Sequence, residues 1–199
     1  MSYQYEQFSR ALYLLDRRLN ISNAPNYNLV VCGGTALIAT GLVHRVTKDV
    51  DIVALADDQG GLIDPAPLPT PLIQEALQVA EDLNLPEDWL NNGPSQGEGG
   101  LFRLGLPQGF IDRLKWTRFG EKLTVAFIGR RDQIFFKLYA AVDQFGSYHA
   151  SDLQALKPTD MELLDAAAWT RTHDPSQGYR EGLMMFFREF GYEHLVERI

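Results

Sequence analysis

The chain has 199 residues, 45% of them hydrophobic, with 18 Lys and Arg against 26 Asp and Glu and a formal net charge of −8. That length and apolar content support one substantial domain, or a domain with a helical appendage, around a proper core. The acidic balance argues against a broad nucleic-acid surface, the lone Cys32 excludes an intramolecular disulfide, and no apolar run approaches membrane-spanning length.

The N-terminus, "MSYQYEQFSR", has no signal-peptide character, so the expectation is a cytoplasmic protein. Residues 5 to 19 read as an amphipathic helix, with Phe8, Ala11, Leu12, Leu15 and Leu19 at helical spacing. A turn-rich loop, "NISNAPNYN", leads into the apolar run Leu29 to Cys32. That run ends at Gly33 and Gly34, which permit close backbone approaches that a side chain would forbid. Ala36 to Ala39 favour a short apolar helix stopping at Gly41.

After the polar turn "HRVTK" comes "DVDIVAL", a strand by its pattern. Alternate strand residues share a face, so Asp49 and Asp51 point one way while Val50 and Ile52 point into a core. Two carboxylates side by side repel, a cost that a shared cation relieves. Ligands of this kind suit Mg2+ or Mn2+, and backbone N–H groups of the glycine turn suit phosphate. Together they point to a metal–nucleotide site.

Farther on, Thr70 and Pro71 open a helix with Leu72, Ala76, Val79, Ala80 and Leu83 as its apolar stripe. Asn91 to Gly100, rich in glycine, reads as a mobile loop, either a surface excursion or a cover for substrate. Two strands flank "RFGEK", the second over Leu123 to Ile128. In "RLKWTRFGEK" the basic residues Arg113, Lys115, Arg118 and Lys122 alternate with aromatics. They could line a cleft, or form a solvated hairpin with Trp116 packed inward. A helix follows over "RRDQIFFKLYAAVDQ", with Lys137 inside its apolar segment. Ser151 with Gln154, and Thr159 with Glu162, have the spacing of capping boxes. A last helix begins after Asp174-Pro175, and its Met184 to Phe187 run serves either a core or a partner surface.

The arrangement resembles the nucleotidyltransferase superfamily, whose mark is a Gly-Gly or Gly-Ser turn opening a helix, followed by an Asp-x-Asp strand. Arg45, Thr47, Asp49 and Asp51, as R-x-T-x-D-x-D, are similar to the minimal members related to AbiEii-type toxins and the DUF6036 group. The resemblance implies an α+β fold: a small mixed sheet, mainly antiparallel, over residues 28 to about 128, flanked by helices. A core over 1–145 and a helical C-terminal extension over 146–199, packed on the core, are expected.

It implies an Mg2+-dependent transfer of a nucleoside monophosphate from an NTP to a hydroxyl, with Asp49 and Asp51 as metal ligands. Gly33, Gly34 and Thr35 would hold phosphates. Arg45 and Lys137 would offset nucleotide charge, while Thr47 would organise the turn. Asp152 matches the acidic residue after the lysine helix and could fix Lys137 or an arginine by an ion pair, or equally favour the helix dipole. Active members have a third carboxylate on a neighbouring strand. "LTVAFIG" has none, so Asp112 is the candidate and Glu121, in a turn, a weaker one.

The acceptor is left open between a small molecule, a protein side chain and an RNA end, as is membership of a toxin–antitoxin pair. The alternative is a catalytically reduced protein acting as a nucleotide- or protein-binding module, with a partner at the C-terminal helix. Long double-stranded nucleic acid and membrane are not expected as partners.

Overall fold

The structure is a computed structural model that describes residues 3–43, 47 and 49–199. The chain divides into two compact units, residues 1–129 and 130–199.

The first unit opens with helix α1 (Tyr3–Ile21), which buries Phe8, Leu12, Leu15 and Leu19 as its spacing requires. Strand β1 (Tyr27–Cys32) and helix α2 (Gly33–Ala39) follow, and Gly41 takes a positive φ just past the end of α2. Next come β2 (Val50–Ala56), β3 (Leu62–Ile63), α3 (Thr70–Leu83) and β4 (Leu90–Asn91). A short 3-10 turn at Gly93–Ser95 precedes α4 (Leu101–Leu104), another at Ile111–Arg113 precedes β5 (Lys115–Arg118), and β6 (Leu123–Phe127) completes the unit.

The described strands form one mixed sheet in the order β3-β2-β1-β6-β5, with β4 beside the start of β2. β1 pairs antiparallel with β2 and parallel with β6, and β5 and β6 form the antiparallel hairpin expected around "RFGEK". Leu29, Val30 and Val31 of β1, like Ile52, Val53 and Ala54 of β2, are fully buried. Such continuous apolar runs belong to strands covered on both faces. α1 packs against α3, and the Phe8 ring meets Phe127 edge-on at 6.3 Å. The fold is therefore α+β, with helices flanking a mixed sheet and a helical C-terminal region.

Two local expectations change. Residues 91 to 100 are built into the fold. Asn91 is a strand residue, the Asn92 side chain donates to Pro65 O at 2.8 Å, and the buried Ser95 hydroxyl donates to Val53 O at 2.7 Å. Trp116 is 45% exposed rather than packed inward, because β5 is an edge strand with little against it. Buried Phe119 anchors the hairpin instead, against Tyr13 at 5.0 Å.

The second unit is helical: α5 (Arg130–Asp143), α6 (Tyr148–Ala155), α7 (Asp160–His173), α8 (Gln177–Glu189) and a terminal 3-10 turn, Glu193–Arg198. α5 packs against α6, α7 and α8. The lysine helix groups with the C-terminal helices in the second unit. The Thr159/Glu162 capping box forms in full. Ser151 lies inside α6, whose N-cap is Ser147, so it caps nothing. In α8, Leu183, Phe186 and Phe187 are buried and Met185 is 57% exposed, so the thick apolar run is core at its two phenylalanines.

Candidate functional site

The site is built where β1 hands over to α2 beside the start of β2. Cys32 is the register partner of Asp51 across the antiparallel pair, which brings the glycine turn to the Asp51 carboxylate. Gly33 has φ +67°, and a Cβ there would overlap Asp51 Oδ2. Only glycine satisfies both the left-handed backbone and the close approach.

Asp49 stands just ahead of β2. The Thr47 hydroxyl donates to Asp49 Oδ1 at 2.9 Å, and the fully buried Thr35 hydroxyl donates to the Asp49 carbonyl at 2.5 Å. Thr35 ties α2 to the segment entering β2, which is a positioning contact rather than an open phosphate ligand. Gly34 is buried at the start of α2. Arg45 lies outside the described residues.

β4 lies alongside β2 with Asn91 as the register partner of Asp51, and the Asn91 Nδ2 donates to Asp51 Oδ1 at 3.3 Å. Sequence reading passed over Asn91 because a two-residue strand has no alternation to detect. The available signal was "DWLN", where Trp89 and Leu90 interrupt a polar stretch. Trp89 is buried and donates its indole N–H to Ala76 O at 2.9 Å, which fixes β4 against α3.

Asp112 does not join the pair. It lies on the 3-10 turn before β5 and borders a cavity shared with Leu62 and Phe110. Leu62 pairs with Ala56, at the far end of β2 from Asp51, about 17 Å along an extended strand. Among the described residues no three His, Cys, Asp or Glu side chains form a metal-holding group. The Asp51 carboxylate faces the glycine turn, whereas the Asp49 carboxylate accepts from Thr47.

Asp49 also borders a cavity of about 340 Å³ whose walls include Phe8, Ala11, Leu85 and Trp89, with Thr47 on its polar side. Asp51 does not line it.

Lys137 belongs to the C-terminal unit. It is 3% exposed and forms a 2.8 Å ion pair with Asp152, itself 4% exposed, as the matching of Asp152 suggested. Its ammonium also lies 3.3 Å from His149 Nδ1 and 5.3 Å from the Tyr148 ring centre.

The fold is a small α+β architecture, a mixed sheet flanked by helices, consistent with a generic nucleotidyltransferase-like architecture and with no specific family. No family model matches the chain, and neither a curated protein nor a solved structure matches it. Among the described residues no helix is long and apolar enough to cross a membrane.

Proposed function

We propose that the N-terminal unit binds a nucleoside triphosphate with a divalent cation at Asp49 and Asp51, and transfers its nucleoside monophosphate to a hydroxyl. The observation that carries this reading is the fit of Asp51 under Gly33, where a carboxylate and a glycine turn meet without an intervening side chain. The cation, Mg2+ or Mn2+, would neutralise phosphate charge there. Thr47 and Thr35 hold Asp49 in place from its side chain and its backbone. The cavity beside Asp49 has the volume and apolar walls that suit a nucleoside. In the transfer, the acceptor oxygen bonds to the α-phosphorus, the bond from that phosphorus to its bridging oxygen breaks, and pyrophosphate leaves. The hydroxyl proton passes to solvent.

An RNA end or a protein side chain is the acceptor class that the toxin-type resemblance favours. Membership of a toxin–antitoxin pair remains part of that proposal. A second reading, a binding module without transfer, is favoured by one observation: the residue beside Asp51 on β4 is an amide.

Isothermal titration with each of the four NTPs and Mg2+ tests the binding. Wild type is expected to bind at least one, and Asp49→Ala and Asp51→Ala to lose it. Equal binding by both variants would remove the site. Incubation with α-labelled NTPs and candidate acceptors then separates the two readings, since a module leaves every acceptor unlabelled.

A further inference from the structure

We propose that Asn91 limits this site to one divalent cation. The inference rests on the cation–nucleotide binding that both readings share, and it deepens them by assigning the number of cations.

Asn91 is register partner to Asp51 on the adjacent parallel strand. A second cation shared with Asp51 would draw a ligand from this side chain. The amide presents its donor end instead. Nδ2 donates to Asp51 Oδ1 at 3.3 Å and to the Asp88 carbonyl at 3.3 Å, while Oδ1 accepts the Gly93 N–H at 2.8 Å. These three bonds fix the orientation. Turning the amide over would set NH2 against the Gly93 N–H and oxygen against both the Asp51 carboxylate and the Asp88 carbonyl. The oxygen is therefore committed to the turn after β4, and an N–H group faces the place where a hard cation demands oxygen.

Asn91 also does what a second cation would do for Asp51, on a smaller scale: it offers positive hydrogen to the carboxylate. The one cation would be held by Asp49 and Asp51.

Asn91→Asp is nearly isosteric. One oxygen can keep the Gly93 bond, and the other replaces the donor beside Asp51, creating a third acid at the point where Asn91 now closes the site.

Equilibrium dialysis with Mn2+ and the α,β-methylene analogues of the four NTPs reads the cation count directly. The wild-type protein is expected to hold one Mn2+ per chain with its nucleotide, and Asn91→Asp two. Without nucleotide, Asn91→Asp should bind Mn2+ about tenfold tighter or more, because affinity follows ligand charge. Its melting temperature should fall in EDTA and recover with Mn2+. Two Mn2+ on wild type, or one on a folded Asn91→Asp protein, overturns the proposal while nucleotide binding stands. No Mn2+ with any analogue on wild type removes the nucleotide reading and this inference together. If Asn91→Asp does not fold, the wild-type count decides alone.

Discussion

One oxygen of the Asp16 carboxylate accepts the backbone N–H of Leu123 at 2.8 Å, joining residues 107 positions apart. The same oxygen accepts the Lys122 N–H at 2.8 Å, and a Cβ on Gly120 would overlap this carboxylate. α1 is thereby fastened to the β5–β6 hairpin by a buried acceptor. Asp16→Ala should lower stability by about 1–3 kcal/mol, because two backbone donors lose their partner. Asp16→Asn, which keeps an acceptor oxygen, should cost less. Urea unfolding with an unchanged slope measures both. Equal losses would show that the acceptor is not what matters.

Gly33 and Gly41 make a matched pair. Both have positive φ, +67° and +72°, but a Cβ on Gly41 meets nothing within 4 Å. Gly41→Ala should therefore cost only the left-handed conformation, about 1–2 kcal/mol. Gly33→Ala should cost more and should also displace Asp51, weakening nucleotide binding that Gly41→Ala leaves intact. Thermal melts and calorimetric titration of the two variants, side by side, check this. Indistinguishable variants would mean that the Gly33–Asp51 approach contributes nothing.

Lys137 and Asp152 are buried partners. Lys137→Met should cost about 3–5 kcal/mol by leaving Asp152 without its cation, and Lys137→Met with Asp152→Leu should recover much of that. Urea unfolding of the two variants measures this, and no recovery in the double variant would show that the ion pair is not the source of the loss.

Glu162 carries a pH dependence. Arg130 donates to both of its oxygens, at 2.5 and 3.1 Å, and the guanidinium holds its carboxyl near 2, well below the ordinary 4.5. The folded state therefore favours the charged form. That stabilisation is complete above about 4.5 and is lost as pH falls toward 2. Glu162→Gln keeps the capping-box geometry and removes the charge. Melting temperatures from pH 6 to pH 2 should fall more steeply for wild type than for the variant. Parallel curves would contradict the assignment.

The strands and helices whose apolar residues repeat over several turns were legible in sequence: α1, α3, β1, β2, β6, α5, α7 and α8 follow their patterns. Gly33 with Asp51 was legible because a glycine turn and an acidic strand carry residue-specific signals. Asn91 was not, since its role comes from pairing with a strand forty positions earlier. Asp112 misled for the converse reason: an acid near a strand in sequence says nothing of which end of the sheet it reaches. Ser151 shows the same limit locally, because its spacing to Gln154 fits a cap while the helix already begins at Tyr148.

The parallel pairing of β1 with β6 has a consequence for how the protein is made. Tyr27 of β1 stands opposite Leu123, so one edge of this central, largely apolar strand has no native neighbour until most of the first unit has left the ribosome. Asp16 waits for the same segment. Closing so long a loop is slow, and an open apolar edge invites pairing with other chains. A nascent chain stopped before residue 115 therefore presents β1 to its surroundings, and the synthesis interval between β1 and β6 is when that edge is open to pairing with other chains.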